Sequence, residues 1–74
     1  MRDKIKALMT HVFRLDTIAD DISQSNCEKW DSMNHLNLIV ELENEFNVSL
    51  EPEDIADMKN LDLIEQMIIE KTKK

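Results

Sequence analysis

The 74-residue chain contains no glycine, one proline and one cysteine. Without glycine no position takes a left-handed backbone conformation at low steric cost, so helix ends and tight turns must be closed by other residues. Cys27 has no partner for an internal disulfide and cannot alone supply a cysteine metal site, which agrees with a reducing compartment and a free, partly buried thiol. No run of about 18 apolar residues is available to cross a membrane. The opening MRDKIKALM is amphipathic and lacks the unbroken apolar segment of a signal peptide, so a cytoplasmic location is the expectation. Internal repeats, low-complexity tracts, glycine-rich phosphate loops and clusters of metal ligands are missing as well.

Positive charge is missing from one long stretch. Between Lys29 and Lys59 there is no Lys or Arg, whereas Asp31, Glu41, Glu43, Glu45, Glu51, Glu53, Asp54 and Asp57 all fall there, and the net charge is −7. A negative middle of the chain repels nucleic-acid phosphates and draws in partners with basic docking surfaces. It is equally what a solvated face that keeps a small protein dispersed would look like. Crowded carboxylates should cost stability, so added magnesium or salt is expected to raise the melting temperature. A melt unmoved by either would mean that repulsion is not limiting.

What is present is an ordinary globular composition, 42% hydrophobic and 34% charged, too apolar for a disordered chain. Residues 1–74 make one small domain with too little interior for a buried catalytic cleft, and a monomer is the default.

Residues 2–14 place Ile5, Leu8, Met9 and Val12 at spacings of three and four beside Phe13, an amphipathic first helix with Asp3 in its first turn and Arg14 in its last. Its apolar side suits core packing, and a membrane-surface role is the less common alternative. From Leu15 to Asp31 the pattern loosens into a long connection, anchored by Leu15, Ile18, Ile22 and Cys27, with Thr17 placed to cap a helical turn.

Helical spacing resumes over Ser32–Phe46. At about 100° per residue, Leu36, Ile39, Leu42 and Phe46 share one side, with His35 near them, and should meet the first helix. Met33, Asn37, Val40, Glu41 and Asn44 fall on another. Asn47 stands where a helix commonly closes on a left-handed residue, and it is the best substitute for glycine there.

Val48 to Glu51 alternates in polarity but has no partner strand and reads as loop. Pro52 fits the first turn of a short third helix, about Glu53 to Met58, with Ile55 and Met58 inward and Ala56 permitting close approach. Asn60 suits the N-cap of a last helix carrying Leu61, Ile64, Met67 and Ile68, flanked by Leu63 and Ile69. Lys71, Lys73 and Lys74 lie at its negative end, where the tail is expected to fray.

The fold class is therefore all-α: a small antiparallel four-helix bundle with three long helices, a short third helix and a long first loop. Its expected core is Ile5, Leu8, Val12, Leu36, Ile39, Leu42, Phe46, Ile55, Leu61, Ile64 and Ile68.

Ser32 admits two readings. Ser and Asp are preferred N-cap residues, so the Asp31-Ser32 pair is an ordinary way to begin a helix. Alternatively a group is attached to the Ser32 hydroxyl, where a phosphodiester would meet unpaired backbone amides and the positive end of the helix dipole. His35, three residues on, neighbours Ser32 on a helix and suggests a nucleophile and base. No third residue or oxyanion site completes that constellation, and His35 reads better as a residue at the edge of the core.

Asp31-Ser32-Met33, followed by Leu36, Leu38, Ile39, Leu42, an acidic stretch and Phe46, resembles the DSL motif and second helix of acyl carrier proteins. The form WDSM followed by HLNL is similar to stand-alone carriers of specialised pathways more than to the housekeeping fatty-acid type. The likeness extends over nearly the whole chain and includes the long packed first loop.

The resemblance implies a carrier protein rather than an enzyme, with 4'-phosphopantetheine from coenzyme A joined covalently to Ser32 and holding an acyl intermediate as a thioester. It further implies that Asp31 helps a phosphopantetheinyl transferase hold its metal. The partner-gripping face would consist of Met33, Asn37, Val40, Glu41 and Asn44. Partners would then be that transferase, an acyl- or aminoacyl-loading ligase, and downstream synthases or transferases of a fatty-acid, polyketide or specialised pathway.

A peptidyl or aminoacyl carrier, and an unmodified acidic helical module of the same fold, are the competing readings. Two departures stand out. The glycine usual shortly before the DS pair is replaced by Lys29 and Trp30, and Asn34, Asn37 and Asn44 occupy places where many carriers have acids, which dilutes the charge code and argues for a dedicated set of partners.

Overall fold

A computed structural model describes residues 1–72 and contains four helices: α1 (Arg2–Phe13), α2 (Ser32–Phe46), α3 (Pro52–Asp57) and α4 (Leu61–Thr72). The four-helix arrangement expected from the periodicity is what forms, with no strand among the described residues. Lys73 and Lys74, expected at the end of α4, lie outside the described residues. The Cα radius of gyration is 11.2 Å, close to the roughly 11 Å of a well-packed chain of this length.

In α1, Ile5, Met9 and Phe13 return every fourth residue and are fully enclosed, while Leu8 and Val12 pack along the edge of the same stripe. The helix stops one residue earlier than its spacing suggested. Arg14 leaves the last turn and adopts the left-handed conformation, φ 57° and ψ 46°, and the N–H groups of both Arg14 and Leu15 reach the Thr10 carbonyl. Asn47 closes α2 in the same way, at φ 54° and ψ 52°, with its own N–H and that of Val48 on Glu43 O. These two are the positive-φ positions among the described residues. A chain without glycine has thus placed its helix ends on an asparagine, which tolerates the conformation, and on an arginine, which pays a steric cost of about 1 kcal/mol.

The register of α2 differs from the expected one. His35, Leu38, Ile39 and Leu42 form the enclosed face, with Phe46 partly covered, whereas Leu36 is 57% exposed and Leu38 is 0% exposed. Around the helix His35, Leu38, Ile39, Leu42 and Phe46 span less than a right angle on either side of a common centre, and Leu36 lies about 100° from it. Leu36 was therefore wrongly assigned to the core. A polar His at the first position of the true face disguises the pattern, and helical spacing alone admits the adjacent leucine alongside it.

The connection from Leu15 to Asp31 is irregular but tied down. Ile18 and Ile22 are buried, and Leu15 and Cys27 pack against the core, as their spacing implied. No helical turn follows Thr17. Order comes instead from Asn26, whose side-chain oxygen accepts the Ser23 N–H at 2.9 Å while its amide donates to Asp21 O at 3.0 Å. A single bridge then pairs Ser23 with Asn60: Gln24 N–H donates to Lys59 O and Leu61 N–H to Ile22 O. The loop is thereby fastened to the start of α4, where Asn60 caps the helix by accepting the Leu63 N–H at 2.8 Å.

Pro52 opens α3, which runs one residue earlier than expected. Met58 is enclosed at its end and Ile55 is half-buried, but Ala56 faces solvent and mediates no close approach. Leu50, in the loop before α3, is enclosed, and its N–H donates to the Glu43 carboxylate at 3.0 Å.

The acidic middle is also less bare than its sequence suggests. Lys4 of α1 reaches Glu45 at 3.5 Å, and Lys71 of α4 reaches Asp54 at 2.9 Å. At the same end of α1 Arg2 forks onto Glu65 and also contacts Asp62, joining α1 to α4, while Lys6 pairs with Asp20. These pairs hold the Asp54 carboxyl below its ordinary range through the hydrogen bond from Lys71 and then the Glu51 N–H, and the Asp20 carboxyl below its range through Lys6.

Candidate functional site

Ser32 is the first residue of α2, and its side chain is exposed. The N-cap is Asp31, not the serine: its backbone is extended, at φ −91° and ψ −178°, and its carboxylate accepts the Asn34 N–H at 2.8 Å. With the capping duty taken by Asp31, the Ser32 hydroxyl is free for other chemistry. The N–H groups of Ser32 and Met33 lie at the first turn, where no intrahelical acceptor exists, and neither finds another acceptor among the described residues. Beside them is an open groove of about 460 Å³ lined by Gln24, Trp30, Asp31, Ser32, His35 and Leu36.

The backbone before Ser32 manages without glycine because three hydrogen bonds brace it. Trp30 N–H closes a turn onto Cys27 O at 3.1 Å, Asn34 Nδ2 donates to Lys29 O at 2.7 Å, and the Asp31 cap completes the bracing. Asn34 thus ties the incoming strand of chain to the first turn of the helix. No positive φ occurs in this segment.

Trp30 is itself enclosed, which sequence reasoning missed. Its ring lies 5.4 Å from that of Phe13 and 6.1 Å from that of His35, and its indole N–H donates to His35 Nδ1 at 2.9 Å. An indole only donates, so Nδ1 must be the unprotonated nitrogen, and the ring proton is on Nε2, which donates to Ile55 O at 2.8 Å. The signal for this was the spacing of Trp30 and His35, five residues apart across a helix start. Both imidazole nitrogens are engaged away from Ser32, so the pair does not form a nucleophile and base.

On the outer side of α2, Met33 is 73% exposed and Val40 54%, as their positions implied. Leu36 joins them, giving apolar residues at Met33, Leu36 and Val40 on consecutive turns running away from Ser32. Asn37 and Asn44 are exposed on the same helix and Glu41 is half-exposed. A second shallow groove of about 540 Å³ borders this stripe, lined by residues that include His11, Arg14 and Lys29 as well as Asn37, Val40 and Glu41. The face is therefore mixed in charge, not uniformly acidic. Among the described residues there is no cluster of three or more His, Cys, Asp or Glu side chains able to hold a metal ion, and no helix is long and apolar enough to cross a membrane.

Comparison with solved structures decides the architecture. The solution NMR structure of a holo acyl carrier protein from Geobacter metallireducens superposes with a TM-score of 0.84 at 26% sequence identity, over 95% of this chain and 83% of that one. The fold is that of an acyl carrier protein. No protein-family model matches the chain, and no curated protein does. The carrier fold accounts for the long packed loop between α1 and α2 and for a short helix between two long ones. In this chain an enclosed Trp30–His35 pair lies beneath the start of α2, and asparagines stand on the helix's outer side.

Proposed function

We propose that the chain is a carrier protein, residues 1–74 acting as one domain, whose Ser32 hydroxyl is the attachment point for 4'-phosphopantetheine. The observation that carries this reading is the exposed, unengaged hydroxyl at the first residue of α2 in a carrier fold, with the cap supplied by Asp31. The surroundings suit a phosphodiester: two N–H groups without protein acceptors and the positive end of a four-turn helix favour an anion there. When bound, the group supplies a thiol that holds an acyl cargo as a thioester, and the reactions belong to partner enzymes.

The chain's own residues do the remaining work. Asp31 fixes the first turn and leaves a second carboxylate oxygen toward solvent beside Ser32, available to a metal held by the phosphopantetheinyl transferase. Asn34 pins the chain before the serine to the first turn of α2 and so fixes the backbone from which Ser32 projects. Met33, Leu36 and Val40 supply an apolar stripe for partners, with Asn37, Glu41 and Asn44 as its polar margins. Such partners are the transferase, a loading ligase, and downstream synthases of a fatty-acid, polyketide or other specialised pathway in the cytoplasm. The asparagines and the neighbouring His11, Arg14 and Lys29 suit partners that are less basic than those of a uniformly acidic carrier.

Incubation with coenzyme A and a broad-specificity phosphopantetheinyl transferase, followed by intact mass spectrometry, tests the assignment. The expected result is one phosphopantetheine adduct on the native chain and none on Ser32→Ala, with circular dichroism unchanged. No adduct, or one that survives Ser32→Ala, removes the proposal and leaves an unmodified helical docking module.

A further inference from the structure

We propose that His35 is a proton-operated switch that sets whether Trp30 is held against the start of α2, and with it the shape of the groove beside Ser32. The imidazole is enclosed, 8% exposed, and three elements meet on it. The first loop contributes Trp30 Nε1 at 2.9 Å and Gln24 Nε2 at 3.4 Å, both facing Nδ1, and α3 contributes the Ile55 carbonyl facing Nε2.

The two contacts at Nδ1 depend on a neutral ring. A proton on Nδ1 would set two donors against each other across 2.9 Å, because an indole N–H has no acceptor to offer. The Nε2–H to Ile55 O bond, by contrast, strengthens when the ring is charged. Protonation therefore acts on one side only: it expels Trp30 and leaves α3 attached.

Gln24 makes the second state a defined one. Its amide is exposed and already within 3.4 Å of Nδ1, and rotation of that amide turns its oxygen toward the ring to accept the new N–H. The two states are thus Trp30 donating to neutral His35, and protonated His35 donating to Gln24.

Among charged groups, Asp31 shares the groove with His35 and contributes its backbone carbonyl to the His35 N–H, while its carboxylate is turned to Asn34. On α3, Asp54 is turned to Lys71 and the Glu51 N–H. Neither carboxylate occupies the position Gln24 would take. Trp30 and Gln24 both line the groove beside Ser32, so the exchange remodels the surface next to that hydroxyl. None of this requires that Ser32 be modified.

The unmodified full chain is sufficient for the test, and Trp30 is its only tryptophan. The His35 ring and Trp30 indole signals are followed by NMR from pH 8 to 5, with acrylamide quenching of the fluorescence in parallel. The expected result is that both signals move with one midpoint, that the quenching constant rises severalfold on the acid side, and that the Ile55 amide region stays in place.

His11→Gln should leave the transition intact, His35→Gln should abolish it, and Gln24→Ala should displace its midpoint downward by removing the acceptor for the protonated state. A His35 ring that titrates while the indole is unmoved overturns the proposal. So does a ring that stays neutral until the fold is lost, or an indole transition that persists in His35→Gln.

Discussion

Leu36 and Leu38 are two residues apart on α2, identical in chemistry and opposite in environment: one is 57% exposed, the other fully enclosed between α1 and the rest of the core. Truncation to alanine at each position separates the observed register of the helix from the one its leucine spacing suggests. At Leu38 the change leaves a cavity that the rest of the core cannot fill, with an expected cost of about 2–5 kcal/mol. At Leu36 the lost contact is largely with water, and the cost should stay within about 0.5 kcal/mol.

A 74-residue domain holds a total of roughly 4–11 kcal/mol. The first change therefore removes a large part of the reserve and the second almost none. At roughly 4–8 °C per kcal/mol for domains of this size, Leu38→Ala should melt at least about 8 °C lower, and Leu36→Ala within about 4 °C of the native chain. Urea unfolding followed by circular dichroism gives the free energies directly. Equal losses at the two positions, or a larger loss at Leu36, would refute the register and with it the apolar stripe assigned to partners. If the stripe is a docking face, Leu36→Ala should also raise KM for a loading or elongating partner while the melt is unaffected.

Removing the α2 cap with Asp31→Ala should cost about 1 kcal/mol, seen as a fall of several degrees in Tm, and should slow phosphopantetheinylation more than Asp31→Asn, which keeps a capping oxygen. Because Asp54 is held below its ordinary carboxyl range, its pairing with Lys71 contributes stability at pH values above that ordinary range, and this contribution is lost as acid titrates the folded carboxyl. Lys71→Met should therefore bring the Asp54 carboxyl back up toward its usual value in a carbon-detected NMR titration and start acid unfolding at a higher pH. Exchange of Asn47 for glycine should stabilise the end of α2 by a few tenths of a kcal/mol up to about 1 kcal/mol, since φ 54° suits glycine better than any other residue. A lower Tm for that variant would mean the asparagine side chain holds something of its own.

Much of this was legible in the chain. The four helices, the left-handed Asn47, the Asn60 cap, Pro52 at the head of α3 and the exposed serine all follow from local rules that act within a few residues. The failures share one origin. Helical spacing puts Leu36 inside and gives Trp30 no position, because the inner face of α2 begins with a histidine, which looks polar until its partners are known. Those partners, an indole five residues upstream and a carbonyl twenty residues downstream, come together only when the loop and α3 are folded over the helix. The Ser23–Asn60 bridge was invisible for the same reason: it joins segments 37 residues apart, and neither carries a strand pattern. Helix-end chemistry is written locally, whereas the satisfaction of buried polar groups is written across the fold.

The left-handed Arg14 has a consequence for evolution in the laboratory. Its conformation stores steric strain at the mouth of the groove that borders Val40 and Glu41, at a site with no glycine to relieve it. A glycine there would relax the corner and add stability, but it would also delete one of the few cations beside the outer side of α2. Selection for robustness and selection for recognition pull this one position in opposite directions, and libraries randomised at residue 14 should split into sturdy clones that bind partners poorly and fragile ones that bind them well.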